Sequence, residues 1–234
     1  MKILSLDTST KNFSLAVSSG EKILASRCIQ SKKVLSDEII PAIKQILQKA
    51  KLRVSDLDGF AVGLGPGSFT GLRVGIATVK GLAAASGKPA LGVSSLDLLA
   101  MQAAQENPSP KFKICTLVDA RRNLVYFSLF EKNGQKLTRK SKYLLTNLES
   151  ALDNVPESNV VFVGDAASLY KKRIEDRVNP RFEEKIIYPE AKYLPALVSE
   201  KFEKNKSDFL AKLVPIYLYA ADCQVDPKMK KGNA

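Results

Sequence analysis

ILSLDTSTKNFSLAVSSG, residues 3–20, alternates between apolar runs and short polar breaks. Ile3 to Leu6 reads as a buried strand that ends at Asp7, and Thr8 to Asn12 as a polar turn. Phe13 to Val17 is a second strand, Ser18-Ser19-Gly20 a hairpin turn, and Lys22 to Ile29 a third strand. The same plan returns in ICTLVDARRNLVYFSLFEKNG, residues 114–134. A strand ends at Asp119, a polar turn and a second strand follow, and Lys132-Asn133-Gly134 turns the chain into a third strand over Lys136 to Leu145. Identity between the two stretches is low, so the repeat is one of organisation rather than of sequence.

Helix–strand crossovers follow each set of three strands. In the first half, Ile39, Ile43, Ile46, Leu47 and Ala50 form an apolar stripe at helical spacing, with Ser36 as a candidate cap and Asp37 and Glu38 at the positive end. Asp58 to Gly63 is a buried strand, Ser68 to Ser86 a helix, Lys88 to Val93 a strand and Ser95 to Gln105 a helix. Glu106-Asn107-Pro108-Ser109-Pro110 stops that helix and divides the chain into lobes of residues 1–106 and 110–234. In the second half, Asn147 to Leu152 and Ala166 to Ile174 are helical, VVFVG (160–164) is a buried strand, and Glu190 to Glu203 is an amphipathic helix interrupted by Pro195. This order predicts an α/β fold of two ribonuclease-H-like lobes, the architecture of the actin, sugar-kinase and Hsp70 (ASKHA) superfamily. In that architecture the lobes face each other across a nucleotide cleft.

Composition excludes several chemistries. The chain of 234 residues has no histidine, which removes Ser-His-Asp and Cys-His catalysis and histidine-ligated metals together. Cys28, Cys115 and Cys223 are scattered and lack CxxC spacing, so neither a disulfide framework nor a zinc site is expected. No metal site is expected, although an all-carboxylate Mg²⁺ site survives these exclusions. Asp7 comes too early for a signal-peptide core, and no uncharged apolar run reaches transmembrane length. A cytoplasmic protein without a membrane partner is expected. The formal charge of +12 favours acidic partners, nucleic acid first, although solvated lysines would give the same balance.

Two features bear on chemistry. Asp7, Thr8 and Ser9 stand where the two-lobed fold places its first phosphate loop, so they are the candidate cofactor-binding residues. The counterpart in the second half, Asp119-Ala120-Arg121-Arg122, has no glycine to bring backbone amides close to a phosphate. GLGPGSFTGLRVG, residues 63–75, carries neither the lysine of a Walker A loop nor the spacing of a dinucleotide fingerprint. It reads instead as a tight strand-to-helix turn capped by Ser68. The helix beyond places Leu72, Ile76, Val79 and Ala83 on a bulky side and Gly71, Gly75, Thr78, Leu82 and Ala85 on a small one. The small side lets another backbone approach closely, either in the same chain or in another protein.

GLGPGSFTGLRVGIATVKGLA closely resembles the signature of the bacterial TsaB (YeaZ) family. ILSLDTST, VSSLDLLA (93–100), DARRNLVYFSLF (119–130) and VGD (163–165) extend the resemblance over most of the chain, in the family's order. The resemblance implies the two-lobed fold and a noncatalytic scaffold role, pairing with the transferase TsaD and with the P-loop ATPase TsaE. The reaction it implies is threonylcarbamoylation of the adenosine next to the anticodon in tRNAs that read codons beginning with A. It implies a homodimer in isolation through the same two helices that TsaD uses. The partner interface is therefore expected at Ile39, Ile43, Ile46, Leu47, Gly71, Gly75, Thr78 and Leu82. No resident cofactor is implied, with weak ATP or ADP binding at the partner interface left open. For tRNA contact through the complex, the basic run KLTRKSK offers Lys136, Arg139, Lys140 and Lys142. The chain departs from the family pattern at Leu35-Ser36, often His-Ser, and at Pro215-Ile216-Tyr217-Leu218-Tyr219, where Tyr219 replaces an arginine. The rival reading is an ATP-dependent phosphotransferase or ATPase of the same fold, drawn from Asp7 and DTST.

Overall fold

Apolar strands build two sheets of the same design. The computed structural model describes residues 1–31, 34–156, 159–183, 185–204 and 210–218, so Tyr219 and Cys223 lie outside the described residues. In the first half, β1 (Lys2–Asp7), β2 (Asn12–Ser19) and β3 (Lys22–Gln30) form an antiparallel meander. Then come α1 (Leu35–Lys49), β4 (Gly59–Gly63), α2 (Phe69–Ser86), β5 (Ala90–Val93) and α3 (Ser95–Glu106). β4 and β5 add in parallel, giving the order β3-β2-β1-β4-β5. The second half runs β6 (Lys111–Arg121), β7 (Leu124–Asn133), β8 (Lys136–Arg139), β9 (Leu144–Asn147), α4 (Leu148–Leu152), β10 (Val160–Val163), α5 (Asp165–Leu169), α6 (Lys171–Glu175), β11 (Pro180–Phe182) and α7 (Leu194–Glu203). Five of its six strands, in the order β8-β7-β6-β10-β11, repeat the first sheet, antiparallel and parallel pairs included, and β9 pairs with β7 as an addition. The duplicated plan of the sequence is thus a duplicated topology, the expected α/β fold of two ribonuclease-H-like lobes.

Helices cover both faces of each sheet. α1 and α2 bury Ile39, Ile43, Ile46, Leu72, Ile76 and Val79 against one face of the first sheet. At about 1.5–3 kcal/mol for each fully buried side chain, this layer is a main contributor to the lobe's stability. α7 covers the opposite face with Leu194, Val198 and Phe202, joined by Leu98 of α3. The other side of α3 puts Leu96, Leu99 and Ala103 into the core of the second sheet, so one helix is shared by both lobes. α4 and α5 close the far face of the second sheet.

Several boundaries differ from the sequence reading. α1 starts at Leu35 after Val34, without a side-chain cap, and Ser36 lies in its first turn with its hydroxyl 3.3 Å from the Asp37 carboxylate. The expected strand 136–145 is two strands, because β8 pairs with one end of β7 and β9 with the other. Between them the Ser141 hydroxyl accepts the Leu129 N–H at 2.9 Å. The helix expected over 166–174 breaks at Tyr170, and the amphipathic run from Glu190 forms its α-helix only from Leu194, with Pro195 in the first turn. Two parts of the expected second lobe of residues 110–234 pack against the first sheet. α7 lies on the first sheet and Leu213 is buried in the first core, so the chain returns after β11.

Candidate functional site

The first loop of the cleft is sealed from inside. The Asp7 side chain is buried, and its Oδ1 accepts the Ser9 N–H at 2.9 Å and the Ser9 hydroxyl at 2.6 Å. Its Oδ2 accepts the Ser95 hydroxyl at 2.6 Å. Burial pushes the Asp7 carboxyl above its ordinary value, and the hydrogen bonds from Ser9 and Ser95 pull it back. Thr8 is buried too, its hydroxyl donating to the Gly71 carbonyl at 2.8 Å. The Asp7 and Thr8 side chains are therefore turned inward rather than toward a ligand, which corrects the expectation for these two. Ser9 lines the cleft beside Thr10 and Lys11.

The glycine-rich stretch is what seals them. The Ser68 N–H donates to the Ser9 carbonyl at 2.7 Å, and the Ser68 hydroxyl caps α2 by accepting the Gly71 N–H. A Cβ at Gly63 would come closer than 3 Å to the Asp7 carboxylate, one at Gly67 to the Ser9 carbonyl, one at Gly71 to the Thr8 carbonyl and one at Gly75 to the Thr8 hydroxyl. Four glycines thus let strand, turn and helix close over a three-residue loop. The backbone that approaches the small side of α2 at Gly71 and Gly75 belongs to the same chain.

Six of the eight residues expected at a partner interface are buried within the chain. Gly71 and Gly75 are buried under Thr8, and Ile39, Ile43, Ile46 and Leu47 are buried on their own sheet, so none of the six is free to meet a partner. Thr78 and Leu82 are half-buried at the margin of α2. The outward stripe of α2 carries Thr70, Arg73, Ala77, Gly81, Ala84 and Ala85 instead. Nothing lies within 4 Å of a Cβ built at Gly81. α1 packs beside α2 and adds exposed Ile40, with Val34 at its start.

Between the lobes lies a cleft of ≈ 820 Å³, bordered by Ser9, Lys11, Phe69, Asp119, Asp165 and Tyr188. Asp119 organises its own hairpin: Oδ1 accepts the Arg121 N–H at 2.9 Å, and Oδ2 lies 3.4 Å from the Arg121 guanidinium. Asp165, raised by burial, accepts the Asp119 N–H at 2.9 Å. Gly164, just before it, has φ +104 and stands against the Leu117 carbonyl, two reasons for glycine in the VGD stretch. At the cleft's edge the Phe69 and Tyr217 rings stand 5.4 Å apart. The Arg73 guanidinium lies 3.6 Å from the Phe69 centroid, and its Nε donates to the Tyr217 hydroxyl at 3.0 Å. Sequence reasoning missed this trio. Its one signal was Tyr217 within the Pro215–Leu218 motif, a stretch whose Ile216 N–H donates to the Leu64 carbonyl at 2.7 Å. Among the described residues, no group of three or more Cys, Asp or Glu side chains could hold a metal ion. No helix among them is long and apolar enough to cross a membrane.

The basic run is divided by strand alternation. Lys136 and Thr138 project from one face of the second sheet, and Lys140, just past the end of β8, reaches Glu131 on that face at 2.7 Å. Arg139 projects from the other and sits 4.1 Å over the Tyr143 ring. Lys142 lies beyond the strand. The four expected tRNA contacts are not one surface.

Two sheets of matching order around a cleft define a member of the actin and sugar-kinase class of two-lobed α/β proteins. The (R)-2-hydroxyglutaryl-CoA dehydratase component A of Acidaminococcus fermentans has this fold, with a TM-score of 0.56 at 11% identity over 86% of this chain and 98% of that one. YeaZ from Pseudomonas aeruginosa superimposes with a TM-score of 0.81 at 25% identity, over 93% and 99% of the two chains. A family model described as TsaD, tRNA N6-adenosine threonylcarbamoyltransferase, matches residues 23–223. The tRNA threonylcarbamoyladenosine biosynthesis protein TsaB of Bacillus subtilis is 31% identical over 96% of each chain. Its counterpart in Buchnera aphidicola subsp. Schizaphis graminum is 32% identical over 85% of this chain and 93% of that one. The chain belongs to the TsaB (YeaZ) family.

Proposed function

We propose that this chain is a noncatalytic subunit for threonylcarbamoylation of the adenosine next to the anticodon, in tRNAs that read codons beginning with A. It pairs with a TsaD-type transferase, and a TsaE-type ATPase joins the pair. One observation carries the reading. The carboxylate at the end of β1, where the fold's phosphate chemistry begins, has its acceptors engaged by Ser9 and Ser95 and lies beneath the glycine-rich turn. A chain with no histidine has no imidazole to replace it. What the chain offers a partner is a surface.

The test is a reconstituted tRNA modification assay with the cognate transferase and ATPase, with and without this chain. Product is expected only when all are present; product formed equally well without it would sink the scaffold role. The rival reading, an ATPase or phosphotransferase, draws on the size of the cleft and on Lys11 and Arg121 at its border. Titration of the isolated chain with ATP and Mg²⁺ separates the two, and turnover by the chain alone would favour the rival.

The partner surface is the outward stripe of α2 with the neighbouring side of α1. Ala77, Gly81, Ala84 and Ala85 let a second helix approach closely, while Ile40 supplies apolar area. Gly81→Leu is expected to leave the melting temperature unchanged or slightly higher, because leucine is the better helix former by somewhat under about 1 kcal/mol. It is expected to abolish the homodimer and to weaken pairing with the transferase, since a bulky side chain there excludes a closely packed helix. Light scattering after size exclusion, beside a thermal melt, reads both. A Gly81→Leu chain that still dimerises would move the interface elsewhere.

A further inference from the structure

The second sheet has an uncovered end. Along β6, Lys111 and Lys113 point to the face opposite buried Phe112 and Ile114. The register places Lys111 beside Asn133 of β7, which lies beside Lys136 of β8. One row further in, Lys113 lies beside Glu131, and Glu131 beside Thr138. Directly opposed residues share a face, so Lys111, Lys113, Lys136 and Lys140 surround a single acid, Glu131. Lys140 pairs with it at 2.7 Å. Lys140 is the first cause that holds the Glu131 carboxyl below its ordinary value, and Lys111 and Lys113 lower it further. Lys111, Lys113 and Lys136 make no ion pair among the described residues. Strand spacing sets Lys111 and Lys136 about 10 Å apart, and strand pitch sets Lys111 and Lys113 about 7 Å apart.

We infer that this lysine face, outside the candidate partner surface, binds the phosphate backbone of tRNA. The inference rests on the role in tRNA modification proposed above. The composition decides between two acidic occupants. Protein interfaces are depleted in lysine and rich in aromatic anchors. These rows carry three unpaired lysines, Asn133 and Thr138 as further polar groups, and no aromatic ring. Without a ring there is no platform for base stacking, so the contacts are to phosphate and sugar and do not read sequence. Arg139, on the other side of β8, and Lys142 take no part.

The experiment compares the parent chain with Lys111→Gln/Lys113→Gln/Lys136→Gln, and with a control of equal charge loss, Lys22→Gln/Lys172→Gln/Lys185→Gln. Affinity for an unmodified tRNA transcript is read by fluorescence anisotropy across a salt series, for the chain alone and for its complex with the transferase and ATPase. Complex assembly and melting temperature are measured on the same samples. The lysine-face variant is expected to bind about tenfold or more weakly at 0.1 M salt, and to lose about 2–3 from the slope of log affinity against log salt, near one per phosphate contact. Assembly is unchanged, the control behaves as the parent, and the three arginine replacements restore the slope. An unchanged slope, or tRNA binding by neither parent sample, overturns the inference. Lost assembly at an unchanged slope makes the face a protein interface instead. Should the parent fail to assemble with the transferase, the proposed function falls, while the chain-alone series still decides this one.

Discussion

Gly75→Ala is expected to lower the folding stability of the isolated chain by about 1–3 kcal/mol, as overpacking a buried contact does. The added methyl would overlap the Thr8 hydroxyl, with the Thr8 Cγ2 methyl also closer than 3 Å. On an open helix face the same change stabilises by about 1 kcal/mol, so Gly81→Ala, with free space around it, is the opposite-sign control. The obstacle at Gly75 is a side chain, and side chains can be removed. Thr8→Ala costs its own buried hydrogen bond to the Gly71 carbonyl, about 1 kcal/mol. In the Gly75→Ala background it removes the two nearest obstacles and leaves the Thr8 Cβ at 3.1 Å. The double variant is therefore expected to be more stable than the two single losses added together, by about 1 kcal/mol or more. Gly71→Ala meets the Thr8 backbone carbonyl, which no substitution at residue 8 removes, so the same second change should not rescue it. Chemical denaturation of Gly75→Ala, Thr8→Ala, their double variant and the parent measures the cycle, with Gly81→Ala, Gly71→Ala and Gly71→Ala/Thr8→Ala beside it. A Gly75→Ala chain with unchanged stability that no longer pairs would return this glycine to the interface.

That contrast marks where sequence reading stops. The strands running into Asp7 and Asp119 were legible because their apolar runs stop at a charged residue, and the repeat of that pattern gave the two lobes; β1 does end at Asp7, whereas β6 pairs on past Asp119 to Arg121. Ser68 was legible as a cap because it sits directly before a long helical run, and its hydroxyl does accept the Gly71 N–H. The bulky side of α2 was placed correctly on the sheet. Which small residues meet the chain's own loop was not legible. Thr8 and Gly71 are 63 residues apart, and nothing local distinguishes Gly75 from Gly81, which stand on different sides of one helix. The return of α7 to the first sheet was hidden for the same reason, since an amphipathic stripe does not name the sheet it will cover. KLTRKSK looked like a patch because charge was counted along the chain. In a strand, neighbours in sequence face opposite ways, and the partners that complete the surface, Lys111 and Lys113, come from another strand.

Asp7→Ala is expected to be the most damaging single change at the site, costing about 3–5 kcal/mol. The variant strands three buried donors, the Ser9 N–H, the Ser9 hydroxyl and the Ser95 hydroxyl, and each unsatisfied group costs about 1–3 kcal/mol. It also releases the anchor that ties β1 to the first turn of α3. Asp7→Asn should be far milder. Its oxygen still accepts from Ser9, and the Ser95 hydroxyl is able to turn and accept from the new amide. The pair also reports the charge. Burial raises the folded-state value of Asp7 above its unfolded one, so the carboxyl's contribution to stability is fully present below the unfolded value and is lost as pH rises through the folded one. Asparagine does not titrate. The stability advantage of the parent over Asp7→Asn is therefore expected to be largest in acid and to shrink as pH rises from about 4 toward neutrality. Denaturation curves of the two chains across that range measure it. An advantage that grows with pH would mean that the three donors outweigh burial and hold the Asp7 carboxyl below its ordinary value. An Asp7→Ala chain as stable as the parent would show that the loop is not closed in this way, and the main support for a noncatalytic subunit would go with it.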